Sequence, residues 1–478
     1  MLSVPEIKRF IDEDTTSEKK RLARKGQAYY NGDHDIKQYR LFYYNADGTL
    51  VEDKTRSNIK IPHPFFTELV DQAVQYILSG QSRFVRSDIP KLQAELDYYF
   101  NDNEDFISEL SEVLTGSIVK GFDYMHGYKN EDDRTAFQWA DSLGVVEIRG
   151  KDTDDRTDHV IYWYMDRVDR RRRAVKRIQV WDAEQIYYYV QDEEGEITPD
   201  RAERINPRPH TLYEEERGGV ITYDDYGFIP FFRLDNNKRQ TSDLKTVKEL
   251  IDDYDLMASS LSNNLADFDT PIHVVKGYPG DNLDELQHNL KTKKIVSVDN
   301  DGGVEIHTVD VPYKARQAKL DLDEKNIYRF GMGLNTAGLK DTHATTNIGI
   351  MAAYSLLDLK CAKLTIRLKQ FLRRLIRVVL GEINTIYGTD YGQRDVYLHF
   401  DHEIMSNAQE NAQIAKTKAE TEQIRINSVL SVAEQVGDEE TLRAICEILE
   451  LDWETLKKRL DAVGAVEGNA EAQSALGA

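Results

Sequence analysis

The stretch Ser242–Phe268, SDLKTVKELIDDYDLMASSLSNNLADF, determines how this chain is organised. Its apolar residues recur every three or four positions, so the spacing predicts one helix with a single apolar stripe. These residues are Leu244, Val247, Ile251, Tyr254, Met257, Leu261, Leu265 and Phe268. Ser242 is placed to cap the N-terminus of the helix. At about 1.5 Å per residue the helix would span roughly 40 Å, which makes it a rod.

The residues after this rod predict a small module and a second rod. Pro271 and Pro312 bracket an insert, and Tyr313–Gly331 predicts a helix that returns. In the insert we expect a strand at Ile272–Val275, a helix at Asn282–Leu290, and strands at Ile295–Val298 and Val304–Val309. The insert is too small for a deep pocket, so an interaction surface is favoured over a catalytic one. Two rods with a module at their far end form a spoke, which suits several copies arranged around an axis.

The two predicted rods carry opposite charges. The first is acidic, with Asp243, Glu249, Asp252, Asp253, Asp255 and Asp267 against Lys245 and Lys248. The second is basic, with Lys314, Arg316, Lys319, Lys325 and Arg329 against Asp321, Asp323 and Glu324. Opposite charges allow such rods to pack side by side, within one subunit or between subunits. The alternative is that both are solvated faces of an ordinary helical hairpin.

A loop rich in Gly and Thr, Leu334–Thr346, leads into a very long helix at Ile348–Tyr387, for which Asn347 is a suitable N-cap. This helix carries seven basic and two acidic residues, and it would be roughly 60 Å long. We expect a buried stripe made of Tyr354, Leu357, Leu364, Leu368, Phe371, Leu372, Leu375 and Val379. We interpret the helix as one that ties the domains together, with its charges meeting acidic neighbours, and we favour this over DNA contact.

Composition limits the class of protein. The 478 residues predict several domains. There are 62 Lys and Arg against 84 Asp and Glu, a formal charge of −22, which argues against a general nucleic-acid binder. Cys361 and Cys446 share no local spacing, so they support neither a disulfide framework nor a zinc site, and we expect folding in a reducing cytoplasm. No stretch has the apolar character of a signal peptide or a membrane span.

The first half of the chain predicts a mixed α+β domain. Residues 1–30 are expected to be helical, and Asp47-Gly48 predicts the turn of a hairpin between Tyr39–Tyr44 and Thr49–Val51. A helix is expected from Phe66 to Ile77, and a further helical pair is expected up to about Gly121. Strands are then predicted at Val160–Tyr164, Val175–Trp181 and Ile186–Val190, which are rich in β-branched and aromatic residues.

Patterns for catalysis are largely missing. The sequence from Gly333 to Lys340 resembles a phosphate-binding loop only superficially, because Lys does not follow the second Gly and the loop follows a helix. The densest group of possible metal ligands is His399, Asp401, His402 and Glu403, which we interpret as polar surface. The basic run Arg170–Arg173, with Lys176 and Arg177, is expected to be solvated or paired with acidic neighbours. We therefore predict no catalytic residue, metal or cofactor.

The order of helix, small α/β insert, helix, loop and long helix resembles the portal proteins of tailed double-stranded DNA bacteriophages. The resemblance is to the branch found in siphophages of Gram-positive hosts, and it covers about residues 55–385. The stretches that carry it, in order, are Asn58–Phe66, Val70–Gln72, Tyr76–Gly80, Gly227–Pro230, Asn236-Asn237, Ser242–Leu244, Asp252–Asp255, Ile272–Gly277 and Lys294–Val298. Their order and spacing are more specific than any single stretch.

The resemblance implies a fold class of α+β, mainly helical, with the parts of a portal subunit. These parts are a wing (1–235), a stem helix (236–270), a clip (271–312), a second stem helix (313–333), a tunnel loop (334–346), a long wing helix with a return strand (347–400), and a helical crown with a disordered tail (401–478). Such subunits form closed rings, usually dodecamers, at one capsid vertex in the virion, and are assembled in the host cytoplasm. DNA is packaged and ejected through the ring.

The resemblance and the charge pattern also predict site residues. The DNA-facing tunnel loop would use Asn335, Gly338, Lys340, Thr342 and His343. The stem would contact other subunits through Asp252, Asp253, Asp255, Arg316, Lys319 and Arg329. The clip would dock partners through Asp281, Asp284, Glu285, Lys291, Lys293 and Lys294.

The partners implied are copies of the chain, double-stranded DNA bound transiently and without specificity, the terminase large subunit, a head-completion or adaptor protein, and the scaffolding and major capsid proteins. No membrane partner is implied. A nucleic-acid-processing enzyme and a scaffold or adaptor protein without a channel remain as alternatives.

Overall fold

A computed structural model describes residues 1–54, 56–79, 83–150, 157–167, 174–214, 221–268, 272–276, 302–307, 312–336, 347–400, 408–433 and 437–448, and the single residues 282, 286, 298 and 453. The chain divides into two units. The first comprises Met1–Thr336 and Ala353–Glu403, and the second comprises Ala337–Ala352 and Ile404–Ala478.

The helices follow the predicted order. They are α1 (Val4–Thr16), α2 (Glu18–Tyr30), α3 (Phe65–Leu78), α4 (Pro90–Leu96), α5 (Glu104–Lys120), α6 (Leu244–Phe268), α7 (Tyr313–Gly331), α8 (Asn347–Tyr387), α9 (Ala408–Ser431) and α10 (Asp438–Ile448). Short 3₁₀ turns lie at Asp35–Gln38 and Gln393–Asp395, and a π-helical turn lies at Asp97–Asn101. The predicted bounds of α7 coincide with those observed. The Oγ of Ser242 accepts a hydrogen bond from the N–H of Leu244 at 3.1 Å, which explains why α6 begins there.

Within the described ranges, the strands form six antiparallel sheets. The strands are β1 (Phe42–Tyr44), β2 (Leu50–Glu52), β3 (Val85–Arg86), β4 (Phe122–Lys129), β5 (Thr135–Ala140), β6 (Val145–Arg149), β7 (Thr157–Arg167), β8 (Ala174–Trp181), β9 (Gln185–Gln191), β10 (Ile197–Pro199), β11 (Arg208–Pro209), β12 (Thr211–Glu214), β13 (Ile221–Asp224), β14 (Phe231–Asp235), β15 (Ile272–Lys276), β16 (Gly303–His307) and β17 (Tyr397–Leu398). The largest sheet has the order β10-β9-β8-β7-β6, with β11 also paired to β9, and a second sheet has the order β14-β4-β5. The remaining sheets are the pairs β1–β2, β12–β13, β15–β16 and β3–β17.

The large sheet is covered on both faces. Successive residues of its strands point to opposite sides, so each strand contributes to both packing surfaces. On one face Val180 and Ile161 pack with Ile7 of α1. On the other face Trp181 packs with Phe122 of β4. The strands predicted from β-branched and aromatic residues therefore form the core of the first half of the chain.

The long helix α8 is the main apolar support of the first unit. All eight residues of its predicted stripe are buried: Tyr354, Leu357, Leu364, Leu368, Phe371, Leu372, Leu375 and Val379. Its Lys360 ammonium lies 2.9 Å from the carboxylate of Asp243, as expected for a helix whose charges meet acidic neighbours.

The apolar stripe of α6 is buried at one end only. Val247 and Ile251 are almost completely buried, whereas Leu265 is 54% exposed, so the predicted apolar stripe is covered at one end of the helix and open at the other. Near Leu265 the helix is held by polar contacts to an extended segment of the chain, described below, and these contacts leave the leucine uncovered.

Two helical glycines give a matched test of the packing. A Cβ added at Gly116 in α5 would lie 1.7 Å from the carboxylate of Asp123, whose side chain is fully buried beside Lys120. A Cβ added at Gly381 in α8 would meet no atom within 4 Å. We expect Gly116→Ala to lower the free energy of unfolding by about 1–3 kcal/mol through overpacking. Gly381→Ala should raise it by up to about 1 kcal/mol, because alanine favours the helix. Urea unfolding of both variants measures the difference, and similar effects at the two positions would contradict this packing.

Candidate functional site

An extended segment, Ser57–His63, lies antiparallel to α6; we call it the strap. Every second backbone N–H of the strap donates a hydrogen bond to a side chain of α6. Successive acceptor side chains are four residues, about one helical turn, apart. The four contacts are Ser57 to Asp267 Oδ1 at 3.1 Å, Ile59 to Asn263 Oδ1 at 2.6 Å, Ile61 to Ser259 Oγ at 3.1 Å, and His63 to Asp255 Oδ1 at 2.9 Å. Two extended residues advance about 6.6 Å and four helical residues about 6 Å, so the two repeats nearly match.

The signal for this ladder is present in the sequence as a polar residue at every fourth position, from Asp255 to Asp267. Sequence reasoning missed it because it concentrated on the apolar stripe and treated the polar face as solvated. The backbone N–H groups of the strap need hydrogen-bond acceptors, which a sheet or water would otherwise provide. Here the side chains of α6 provide them.

The ladder ends at a buried carboxylate. The side chain of Asp255 is 0% exposed, and its Oδ2 lies 2.6 Å from Nδ1 of His34. Its Oδ1 lies 2.9 Å from Nδ1 of His63. The Nε2 of His34 lies 3.2 Å from the carbonyl oxygen of Tyr29. Both ring nitrogens of His34 therefore face oxygen atoms of the same chain.

The charge on Asp255 is stabilised by these contacts. Burial acts to raise the pKa of its carboxyl group, but the hydrogen bonds from His34 and His63 outweigh this and hold the pKa below its usual value. Asp255 thus acts as an ionised anchor that joins α6 to the turn after α2 and to the strap.

The acidic side of α6 faces mainly into its own subunit. Five of its six carboxylates have partners in the same chain: Asp243 with Lys360, Asp252 with Lys248 and Tyr29, Asp253 with Lys319, Asp255 with His34 and His63, and Asp267 with Ser57. Because Asp255 is fully buried by its own chain, the expectation that it contacts another subunit is wrong. Composition alone does not distinguish a solvated acidic face from one that binds a strap.

The basic helix α7 pairs with α6 in one of the two ways expected. Lys319 lies 2.5 Å from Asp253, so this pair joins the two helices within one subunit. The guanidinium of Arg316 lies 2.6–2.7 Å from the amide of Asn264, whose oxygen is oriented to accept. Arg329 is exposed, and among the described residues it forms no ion pair, so it stays available to a neighbour.

The root of the predicted tunnel loop is fixed by polar contacts. The amide of Gln72 in α3 accepts from the N–H of Leu334 at 2.9 Å and donates to its carbonyl oxygen at 3.0 Å. Lys360 of α8 also donates to the carbonyl oxygen of Gly331 at 3.3 Å. Lys360 therefore joins the base of α6, the end of α7 and the long helix. Gln72 and Lys360 are site residues that the sequence did not single out.

Most of the predicted loop and clip residues lie outside the described part of the chain. Asn335 is described and half-buried. The loop residues Gly338, Lys340, Thr342 and His343 lie outside it, and so do the clip residues Asp281, Asp284, Glu285, Lys291, Lys293 and Lys294. Of the clip elements, β15 and β16 pair antiparallel, in agreement with two of the predicted strands.

The described residues offer little for catalysis. None of them form a group of three or more His, Cys, Asp or Glu side chains that could hold a metal ion. Of the predicted polar group, His399 is described, whereas Asp401, His402 and Glu403 are not. One cavity among the described residues, about 770 Å³, is lined by the ion pair of Lys129 with Glu382 and by aromatic rings, and the residues that line it include no histidine, cysteine or serine.

The basic run in the large sheet is partly described. Arg177 pairs with Asp166 at 2.8 Å and with Asp200 at 2.7 Å, as expected for a cation that meets acidic neighbours. Arg170–Arg173 lie outside the described residues. In the part of the chain that is described, no helix is both long and apolar enough to cross a membrane.

The buried anchor can be tested by removing its charge. We expect Asp255→Asn to lower the free energy of unfolding by about 1.5–3 kcal/mol, because a neutral amide replaces the buried carboxylate that is hydrogen-bonded to His34 and His63. Asp252→Asn, on the same helix but partly exposed, should cost about 1 kcal/mol or less.

The same variant predicts a change in pH dependence. A carboxyl with a lowered pKa contributes stability above its usual pKa of about 3.9 and loses that contribution as the pH falls through the folded value. The wild type should therefore lose stability below about pH 4, and Asp255→Asn should lose less over that range. Urea unfolding between pH 2 and pH 7 measures this, and parallel curves for the two proteins would show that Asp255 is not an ionised anchor.

Comparison with known proteins gives a consistent family. The family described as "Phage portal protein, SPP1 Gp6-like" matches residues 8–454. The portal protein of Bacillus phage SPP1 is 27% identical over 339 residues, which cover 70% of this chain and 65% of that protein. The portal protein of Clostridium phage phiCD119 is 24% identical over 423 residues, which cover 80% of this chain and 85% of that protein. The first of these alignments thus spans slightly less than two thirds of the relative.

A solved structure, described as the neck of a native GTA particle computed with C12 symmetry, is similar with a TM-score of 0.39 and 10% identity, covering 81% of this chain and 91% of that one. This likeness is too distant to support a conclusion. The family match is different, because it extends over nearly the whole chain. The chain therefore belongs to the SPP1 Gp6-like family of phage portal proteins.

Proposed function

We propose that this chain is the portal subunit of a tailed bacteriophage, and that copies of it form a ring at one capsid vertex through which double-stranded DNA is packaged and ejected. The observation that carries this proposal is the family match from residue 8 to residue 454. The order of α6, insert, α7, loop root and α8 along the chain supports it, because it gives a two-helix spoke that can repeat around an axis.

The parts of the subunit take roles by position. Residues 1–235 and the long helix would be the wing, α6 and α7 the stem, and residues 271–312 the clip. Residues 334–346 would be the tunnel loop, and residues 401–478 the crown. The wing and stem would be joined by the strap, the Asp255 anchor and Lys360, so that forces on the stem reach the long helix directly.

The charge of the chain suits a channel in which DNA slides. A net charge of −22 repels phosphates, so DNA would be bound weakly by the wall. Lys340 and His343 in the tunnel loop would then give a shallow ring of phosphate contacts, with Asn335, Gly338 and Thr342 forming the polar and adaptable backbone around them.

The partners follow from the position at the vertex. Neighbouring copies, twelve in the usual case, would meet through the stem, where Arg329 remains available. Within the subunit, Asp253, Arg316 and Lys319 join the two stem helices, and Asp252 pairs with Lys248 and Tyr29. The clip, through Asp281, Asp284, Glu285, Lys291, Lys293 and Lys294, would dock the terminase large subunit and later a head-completion protein. Scaffolding and major capsid proteins would meet the ring during assembly in the host cytoplasm, and the mature location would be the virion.

An enzyme acting on nucleic acid and an adaptor without a channel are the competing functions. Images of purified particles separate the three. We expect rings with a central hole wide enough for duplex DNA, about 20 Å. Monomers with nuclease or ATPase activity would support the enzyme, and closed or asymmetric assemblies would support the adaptor; either would contradict a portal.

The tunnel loop predicts a second outcome. Lys340 is the only lysine or arginine between Leu334 and Thr346. Lys340→Ala should leave ring yield unchanged but alter the packaging rate or the retention of packaged DNA, because it removes one weak, salt-dependent phosphate contact per subunit. Lys245→Ala, an exposed lysine on α6, is the control and should change neither. Normal packaging and retention by Lys340→Ala at low and high salt would exclude Lys340 from DNA contact.

A further inference from the structure

The β1–β2 hairpin exposes an apolar face. In the register of the pair, Tyr44 lies opposite Leu50 and Phe42 lies opposite Glu52, so all four side chains point to one side. On that side Phe42 is 50% exposed, Tyr44 74% and Leu50 54%. Among the strands that the structure describes, these two pair only with each other. An isolated two-stranded hairpin is at best marginally stable in water, so such a face is expected to be covered by another surface.

The hairpin is held in place from one end. The N–H of Asp53 donates to the carbonyl oxygen of Leu41 at 2.8 Å, and the guanidinium of Arg56 forms an ion pair with the carboxylate of Asp53 at 2.5 Å. The strap begins directly afterwards, at Ser57, and is fixed to α6 by its ladder. The apolar face is therefore held beside the C-terminal end of α6, as an arm that extends from the strap.

A complementary surface lies on α7 of the same chain. Leu322 is 54% exposed and Phe330 53%. Lys325 and Arg329 are exposed close by, and among the described residues neither forms an ion pair. The hairpin carries two carboxylates, Asp47 at its turn and Glu52 opposite Phe42. The carboxylate of Glu52 also lies 3.7 Å from the guanidinium of Arg40. Apolar residues would thus meet apolar residues, and carboxylates would meet cations.

We propose that the hairpin Phe42–Glu52 is an assembly arm that docks on α7 of a second copy of this chain. A closed ring uses a heterologous contact, in which two different surfaces of each copy meet, and the hairpin and α7 supply two such surfaces. The inference rests on the proposed ring, and it names the contact that closes it.

The contact is tested by cross-linking two singly substituted chains. The chain with Tyr44→Cys is mixed with the chain with Leu322→Cys and oxidised, and the native cysteines Cys361 and Cys446 are buried. A disulfide-linked dimer of twice the 55.1 kDa chain is expected from the mixture and from neither chain alone. Met165→Cys, at an exposed apolar position of β7, replaces Tyr44→Cys in the control mixture and should give no dimer.

Assembly itself gives a second test. Tyr44→Asp with Leu50→Asp should raise the chain concentration needed for half-maximal ring formation by at least about tenfold, as for loss of a buried interface anchor. Met165→Asp should not change it, and circular dichroism confirms that each monomer is folded. Arg329→Glu should also weaken assembly, and adding Glu52→Arg to it should restore part of the loss.

The outcomes separate this inference from the proposed function. If the wild type forms no ring, both fail. If rings form normally in the double aspartate variant, the arm does not bind a second copy and the portal function stands. The same holds if rings form but the mixture of Tyr44→Cys and Leu322→Cys chains gives no disulfide-linked dimer. If that variant forms normal rings that are not incorporated into capsids, the arm binds a capsid or scaffolding protein and the inference is overturned.

Discussion

The register between the strap and α6 is the constraint on which the rest of the structure depends. A helix repeats every four residues in about 6 Å and an extended chain every two in about 6.6 Å, so over four contacts the mismatch grows to roughly 2 Å. Side chains of different length absorb it, with aspartate and asparagine at three positions and serine at one. A shift of the strap by one residue would turn the wrong set of N–H groups towards the helix, so the ladder opposes such a slip.

This alignment places the other functional elements. Asp255 ends the ladder inside the subunit and joins α6 to His34 and His63. Directly before Leu244, the first buried apolar residue of α6, Asp243 binds Lys360 of the long helix, and Lys360 also reaches the end of α7. The helices α6 and α7, the loop root and the long helix are therefore linked by a few charged contacts at one junction. The apolar stripe of α8 is buried in the core of the same unit.

The parts that could be predicted from the sequence are those with an apolar signal. The helices α6 and α8 follow from apolar stripes at helical spacing, and the strands β7, β8 and β9 follow from runs of β-branched and aromatic residues. The family resemblance followed from the order of the elements. The ladder could not be found in this way, because contacts from a side chain to a backbone N–H leave no hydrophobic signal and connect residues about two hundred positions apart. The same reason explains the misplacement of Asp255, since an acidic residue on a helix is normally solvated unless distant groups such as His34 enclose it.

The burial of α6 changes along its length, and this has a consequence for how the helix moves. Near Val247 its backbone amides lie over a packed core, so their exchange with solvent hydrogen should require unfolding of the whole unit. Near Leu265 the helix is held by polar contacts that water can replace one at a time, and exchange there should occur by local fraying. The N-terminal end of α6 should therefore be stiffer than its C-terminal end.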